Sequence, residues 1–442
     1  MSNAVYSSQS EFAAFVGIDW ADRKHVWALQ VADSLLIEPG ELDHTPEAVE
    51  QWAAALARRF PGRPVAIAVE QSRGALCFML SKYEHLVLYP VHPNSLASYR
   101  KSFRPSGAKD DPDDASLLLD MLVRHRDRLR RLNPDTVETR TLQFLVEDRR
   151  KLVDERTRIS NRLTNYLKLY FPQMLEWFDQ VRSPLVVDML ERWPTLEELQ
   201  RAKASSLLQF LRRHNCRSQS KIQERLERIR RAVPATRDAA VVTAGRLAVT
   251  ALVQLVRQLN AAIRAYDEQI QQRAQNHPDF AIFDSLPGAG PALVPRLIVA
   301  LGTQRDRYQS AYQIQCYSGI APVVESSGQQ LWVHWRWCCP KFLRQSFHEW
   351  ALHSIGFSDW ARAYYDQQRS HGKSHHTAVR ALAFKWIRVL FRCWQDRTPY
   401  DETKYSRALQ QRCRKPALPQ PVAVDLQLKK VAGFWKLSAN PS

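Results

Sequence analysis

Residues 12–130 alternate between two hydrophobic periods. An apolar run at 15–18 and a longer one at 25–31 have the character of strands, close enough in sequence to form a hairpin. Residues 46–59 then place Val49, Trp52, Ala53 and Leu56 at helical spacing, and short apolar runs follow at 65–69 and 86–89. Strands first and then alternating helices and strands predict an α/β domain with a mixed sheet over residues 12–131. Beyond about residue 135 the period lengthens. Leu142, Leu145, Val146, Leu152, Ile159, Leu163 and Leu167 recur among arginines and glutamates, which predicts one long charged helix to about residue 171. A second long helical region covers 222–274 with a break near Pro234. Such helices pair as a coiled coil or pack as a bundle, and residues 135–275 are expected to act as a spacer or dimerisation region. Pro172, Pro184 and Pro194 punctuate the stretch between the helices and predict an inserted subdomain of short helices. A further, mainly helical unit covers 278–410, and the proline-rich 416–442 reads as a loosely ordered tail. The expected fold class is α/β followed by mostly α.

A chain of 442 residues is too long for one ordinary core and calls for two or three domains. Its formal charge of +18 favours a polyanionic partner, nucleic acid first. No run of about 18 apolar residues and no basic-then-apolar leader is evident, so membrane association is not expected and cytoplasmic residence is. The seven cysteines lack any Cys-x-x-Cys spacing and read as reduced thiols, with the adjacent Cys338 and Cys339 as a packed, inert pair.

Three stretches end in carboxylates. Asp19 closes the apolar run Phe15-Val16-Gly17-Ile18, Glu70 closes Val65-Ala66-Ile67-Ala68-Val69, and Lys109-Asp110-Asp111-Pro112-Asp113-Asp114 carries a cluster. Carboxylates on neighbouring strands can reach one divalent cation, and magnesium, or manganese in its place, prefers such oxygen ligands. Pro112 suits the first position of a helix, which makes Asp111 its N-cap and Asp114 the residue at N3. A well-capped helix start is the plainer reading of those two acids, and a turn after a strand is the plainer reading of Asp19. Their conjunction in one α/β domain resembles the ribonuclease H-like fold of Holliday-junction resolvases.

The C-terminal unit adds Leu286-Pro287-Gly288-Ala289-Gly290, a tight turn whose Gly288 and Gly290 would let backbone N–H groups approach a phosphate. It also contains Tyr317-Ser318-Gly319-Ile320-Ala321-Pro322, followed by Ser326-Ser327-Gly328. With Gly-Ile-Asp, Val-Glu, Lys-x-Asp-x-x-Asp-Ala, Leu-Pro-Gly-x-Gly and Gly-x-Ala-Pro in this order, residues 14–400 resemble the DEDD transposases of insertion sequences. That group includes the pilin-gene invertase type and the bridge-RNA-guided recombinases.

The resemblance implies a ribonuclease H-like domain, a coiled-coil region and a C-terminal transposase domain with a nucleophilic serine. Asp19, Glu70, Asp111 and Asp114 match the metal-binding acids and Ser327 the nucleophile, with Ser326 as the alternative one register away. Asp110 and Asp113 are offset from the pattern. A noncoding guide RNA that pairs with donor and target DNA follows from the resemblance alone. The acids and the serine are far apart in sequence, so folding or a second subunit must unite them, and a homodimer or homotetramer is expected.

Residues 331–415 hold 16 Lys and Arg against 6 Asp and Glu, which marks the expected phosphate-binding region. Arg336, Lys341, Arg344, Arg380, Lys385 and Arg388 are its candidate contacts. Trp332, Trp335, Trp337 and Trp350 interleave with them and read more readily as core than as stacking platforms. The expected function is a DNA transposase or site-specific recombinase acting in the bacterial cytoplasm at the nucleoid. Its rivals are a structure-specific nuclease of the resolvase type and a non-catalytic nucleic-acid-binding protein.

Overall fold

The computed structural model describes residues 11–103, 111–328 and 330–407; for 111–113 it describes the backbone alone. The expected tail at 416–442 and the side chain of Asp111 lie outside the described residues. The chain divides into two compact units, Met1–Pro134 and Asp135–Ser442.

In the first unit, β1 (Ala14–Asp19), β2 (Lys24–Val31), β3 (Ile37–Asp43), α1 (Pro46–Arg59), β4 (Val65–Val69), α2 (Ala75–Leu80), β5 (Leu86–Pro90), α3 (Pro93–Phe103) and α4 (Asp111–His125) follow in order. They build a five-stranded sheet in the order β3-β2-β1-β4-β5. The hairpin read from the sequence is present, with β2 antiparallel to β1, whereas β4 runs parallel to β1 and β5 parallel to β4. β1 and β4 are buried along their whole length, as strands covered on both faces must be.

Alternation sorts their side chains. Ala14, Val16, Ile18, Val65, Ile67 and Val69 join the core that includes Val49, Ala53 and Leu56 of α1 and Leu76 of α2. Phe15, Ala66 and Ala68 join the opposite core with Ala115, Leu118, Leu119 and Leu122 of α4. Gly17 lies on that second face, and a Cβ built there would fall 2.1 Å from the Ala115 carbonyl oxygen. The missing side chain is what lets α4 settle onto the sheet. β3 has no counterpart among the sequence-predicted strands: Pro39 and Gly40 argue against a strand, but Gly40 makes room for the Trp27 indole across the pair.

In the second unit, α5 (Val137–Tyr170) and α11 (Ala239–Gln275) are the two long helices, and they pack antiparallel. Arg149 meets Asp267, Arg156 donates to Asn260, and the Tyr170 ring lies on Gly245, where a Cβ would stand 2.5 Å from it. Between them come α6 (Gln173–Trp177), α7 (Pro184–Arg192), α8 (Leu196–Arg201), α9 (Ala204–Arg213) and α10 (Gln219–Arg231), the short helices that the prolines predict. The second helical region is thus two helices, α10 and α11, parted around Pro234. By length and composition α11 is apolar enough to cross a bilayer, although it holds no unbroken run of 18 apolar residues. It is laid along α5, however, and carries Arg246, Arg257 and Arg264.

The chain continues through α12 (Phe280–Asp284), α13 (Gly290–Leu301), α14 (Ala311–Tyr317), β6 (Val323–Ser327), β7 (Gln330–His334), α15 (Lys341–Ser354), α16 (Asp359–Ser370) and α17 (His375–Gln395). Trp350, Trp386 and Trp394 fill the core of these helices, which Leu142 and Val146 of α5 and Ile270 of α11 also enter. Among the described residues, β6 and β7 pair only with each other.

Candidate functional site

Asp19 and Glu70 occupy matching places. Ile18 and Val69 are partners in the parallel β1–β4 ladder, and each acid is the next residue along its strand. Side-chain alternation carries both towards the α4 face, in line with Phe15 and Gly17 on one strand and Ala66 and Ala68 on the other. Asp19 is nearly buried and Glu70 half-buried.

α4 runs opposite to β1. Arg126, just beyond its C-terminus, lies over the rings of Phe12 and Phe15 at the start of β1, whereas Ala115, in its first turn, lies over Gly17. The N-terminal end of α4, with Asp111 and Asp114, is therefore carried to the end of the sheet where Asp19 and Glu70 emerge.

Asp114 is wholly buried, and α3 supplies its partner. Arg100 donates from Nε to Oδ1 at 2.7 Å and from Nη2 to Oδ2 at 2.6 Å. Such a bidentate pair is a strong charge-assisted contact. Nothing in the sequence singled out Arg100.

The donor chemistry suits a hard cation at Asp19 and Glu70, which offer only oxygens. Asp114 as it stands presents both oxygens to Arg100 and has almost no exposed surface, so it would join a cation only if the guanidinium turned aside. Among the described residues no three ligating groups gather at one point.

Beside Asp19, the turn that follows the strand is held by His25 of β2. The Ala21 N–H donates to Nδ1 at 3.1 Å, which leaves the Nε2 proton of His25 for Nδ1 of His44 at 2.8 Å. His25 is fully buried, and burial, aided by His44, pushes its pKa down to about 4. The neutral ring is what the Ala21 bond requires. Sequence reasoning missed this residue as well.

In the second unit the serine doublet ends β6. Ser326 pairs with Leu331 and Ser327 with Gln330, so the two side chains project from opposite faces of the hairpin. Ser327 shares its face with Glu325, Trp332 and His334, and Ser326 shares the other with Val324, Leu331 and Val333. Both serines are exposed. The base of the hairpin is fastened: Arg336 donates to the carbonyls of Ala321 and Pro322, both at 3.3 Å. A Cβ on Gly319 would meet the Cys339 sulfur, so this cysteine packs as expected, whereas its neighbour Cys338 is exposed. The other described cysteines are free thiols.

The phosphate-binding candidates sort by what they already hold. Arg336 is engaged in the hairpin base. The turn at Gly288 has positive φ and lies so close to α15 that a Cβ would stand 2.8 Å from the backbone at His353 and Ser354, a packing reason for glycine. Gly290 also has positive φ, with open space around it. Lys341 and Arg388 are exposed, Lys385 lies over the Tyr364 ring at 3.8 Å, and Arg344 and Arg380 flank Trp335. Of the four tryptophans read as core, only Trp350 is fully buried; Trp335 is half-buried, Trp332 is exposed, and Trp337 is 79% exposed.

Two family descriptions match the chain: one given as Transposase over residues 16–172, and one given as Transposase IS116/IS110/IS902 family over residues 281–366. The chain is 28% identical over 413 residues to the mini-circle putative transposase for IS117 of Streptomyces coelicolor, a match that covers 90% of this chain and 97% of that one. It is 27% identical to an uncharacterized 44.8 kDa protein of insertion element IS116 from Streptomyces clavuligerus, over 87% of this chain and 95% of the relative. A 42 kDa protein of insertion element IS900 from Mycobacterium paratuberculosis is 25% identical over 87% of this chain and 96% of its own length.

Proposed function

The chain belongs to the DEDD transposase family of insertion sequences, and from that premise we propose that it cuts and rejoins DNA through a carboxylate centre in the first unit and a serine nucleophile in the second. The observation that carries this reading is the register of Asp19 and Glu70 at the ends of two parallel strands, beneath the start of α4. The mixed sheet with acids at its strand ends supports a ribonuclease H-like domain. The antiparallel pairing of α5 and α11 supports a coiled-coil region.

Asp19, Glu70, Asp111 and Asp114 would hold magnesium or manganese. A bound divalent ion would supply charge neutralisation at the phosphate and polarise the phosphorus. The Ser327 Oγ attacks phosphorus, its proton is released, and a DNA hydroxyl leaves with the bonding electrons and takes up a proton. The product is a phosphoserine that conserves the phosphodiester energy. Attack by a hydroxyl from another DNA strand reverses the step, frees the serine and completes strand exchange. The exposed Ser327 shares its hairpin face with polar Glu325, Gln330 and His334, which favours it over Ser326.

Donor and target DNA are the substrates, and a noncoding guide RNA selects them. The basic residues of α15 and α17 support contact with nucleic acid backbones. The protein acts as a homodimer or homotetramer in the bacterial cytoplasm, at the nucleoid. The test incubates protein, magnesium, RNA, donor and target DNA, and follows a covalent protein–DNA adduct. Wild type and Ser326→Ala should form it; Asp19→Ala and Ser327→Ala should not. Adduct and recombination in Ser327→Ala would refute the serine assignment, and hydrolysis without any adduct in wild type would establish the resolvase-type nuclease instead.

A further inference from the structure

Near the hairpin base, a group of cationic and aromatic side chains has no counter-charge among the described residues. Trp335, just past β7, has two guanidiniums over its ring: Arg380 of α17 lies 3.8 Å from the indole centroid and Arg344 of α15 lies 4.8 Å from it. Arg344 donates to the Arg336 carbonyl at 3.2 Å. The Arg380 Nε is enclosed and meets no acceptor among the described residues. Neither arginine forms an ion pair among those residues.

One helical turn from Arg344 stands His348, and one turn before Arg380 stands His376, with their rings 5.6 Å apart. Burial lowers the basicity of His348, and the neighbouring His376, Arg380 and His375 lower it further. Burial and Arg344 act in the same direction on Arg380. Like charges gathered in a partly buried place repel one another more than they would in water. Folding alone gives no reason to gather them on two facing helices, because neutral side chains would pack there at less cost. An anion between them would relieve the repulsion.

The place is also next to an aromatic platform. Trp337 lies with its ring centroid 6.4 Å from that of Trp335 and leaves most of its indole in solvent. A large exposed indole beside a cationic cluster offers a flat face for a base next to charge for a phosphate.

We propose that this cluster is a subsite for one unpaired nucleotide, whose phosphate is held by Arg380, His348 and His376 and whose base stacks on Trp337. The inference rests on the reading of the chain as a nucleic-acid-processing enzyme and deepens it. The base must be unpaired because a stacked duplex does not present a base face to a side chain. Duplex backbone would satisfy the cations but leave Trp337 without a role.

The test measures binding of full-length protein to a fluorescent oligothymidylate and to a duplex of equal length, by anisotropy. Trp337→Ala, an exposed position, should weaken single-strand binding by roughly 5- to 150-fold, the range for loss of one base–aromatic stack. Its duplex affinity should not change. Arg380→Gln should weaken single-strand binding and reduce the slope of log affinity against log salt by about one. Unchanged single-strand affinity in Trp337→Ala overturns the subsite, and an equal loss on both ligands assigns the patch to duplex backbone. Adduct formation separates this outcome from the functional reading: a Trp337→Ala protein that binds normally and still forms the adduct refutes the subsite alone. Asp19→Ala should keep wild-type oligothymidylate binding without forming any adduct.

Discussion

Arg100 and Asp114 form a buried bidentate ion pair that ties α3 to the first turn of α4. Removal of one partner leaves the other charge buried and uncompensated, a loss of about 3–5 kcal/mol. Arg100→Gln is therefore expected to destabilise the first unit by this order, read as faster hydrogen exchange at the amides of β1 and β4. Added Asp114→Asn should recover most of it, since a neutral amide needs no counter-charge. Magnesium should also protect Arg100→Gln more than wild type, because the freed carboxylate becomes available to a cation. Equal exchange rates in wild type and Arg100→Gln would deny the pair any structural role.

Gly17→Ala should be damaging out of proportion to one methyl group. Its Cβ would lie 2.1 Å from the Ala115 carbonyl oxygen and 2.4 Å from the Leu119 nitrogen, and neither backbone atom can swing aside. α4 must move instead, at a cost of about 1–3 kcal/mol. The move shifts Asp114 relative to Asp19, and misplacement by about 1 Å can reduce a rate by about 100-fold. Adduct formation should therefore fall much further than the melting temperature. Wild-type adduct rates in a Gly17→Ala protein with lowered stability would sever helix placement from chemistry.

Much of this architecture is legible in the chain because hydrophobic period reports burial. The wholly apolar runs ending in Asp19 and Glu70 are strands covered on both faces, and the regular leucines of α5 mark the side it buries. The acids stand out by their conjunction: a carboxylate after one such run is ordinary at a turn, but two of them with a cluster before a helix in one domain are not. What escaped detection depends on contacts across the sequence. β3 contains Pro39 and Gly40, whose local preferences oppose a strand, and its glycine is explained only by Trp27 on the paired strand. Arg100 and His25 become meaningful only once α3 meets α4 and β2 meets the turn after β1. Trp337 and Trp350 are the same residue type in one basic stretch, and only packing separates the exposed indole from the buried one.

His25 makes the first unit sensitive to acid. Its pKa is about 4 in the fold against 6.5 for the unexposed-to-burial imidazole of an unfolded chain. Between these values the unfolded chain binds more protons, so stability rises with pH through the window. It is fully present above about 6.5 and is lost as the pH falls towards 4. Wild type should lose stability from pH 7 to pH 5 by urea unfolding, and His25→Gln, less stable at pH 7, should lose less over the same interval. Because protonated His25 cannot accept the Ala21 N–H, adduct formation by the folded wild type should fall only as the pH approaches 4. An identical pH response in the two proteins would show that another group controls the acid limb.

The proposed assembly is expected to use the solvent side of α11. Ala244, Leu247, Ala251 and Leu255 are exposed and recur at intervals of three, four and four residues, the spacing of a helix seam. Leu247 is 74% exposed, an arrangement that water disfavours on a helix already paired with α5 along its other side. A matching helix from a second copy would cover the seam, and the small alanines would let the two backbones approach. Leu247→Glu with Leu255→Glu places like charges on both sides of such a contact and leaves the α5-facing residues untouched. Light scattering after size exclusion should report a dimer or tetramer for wild type and a monomer for the double variant, with the helical content of the two proteins the same. An assembled double variant, or a monomeric wild type at the same concentration, would remove α11 as the assembly surface.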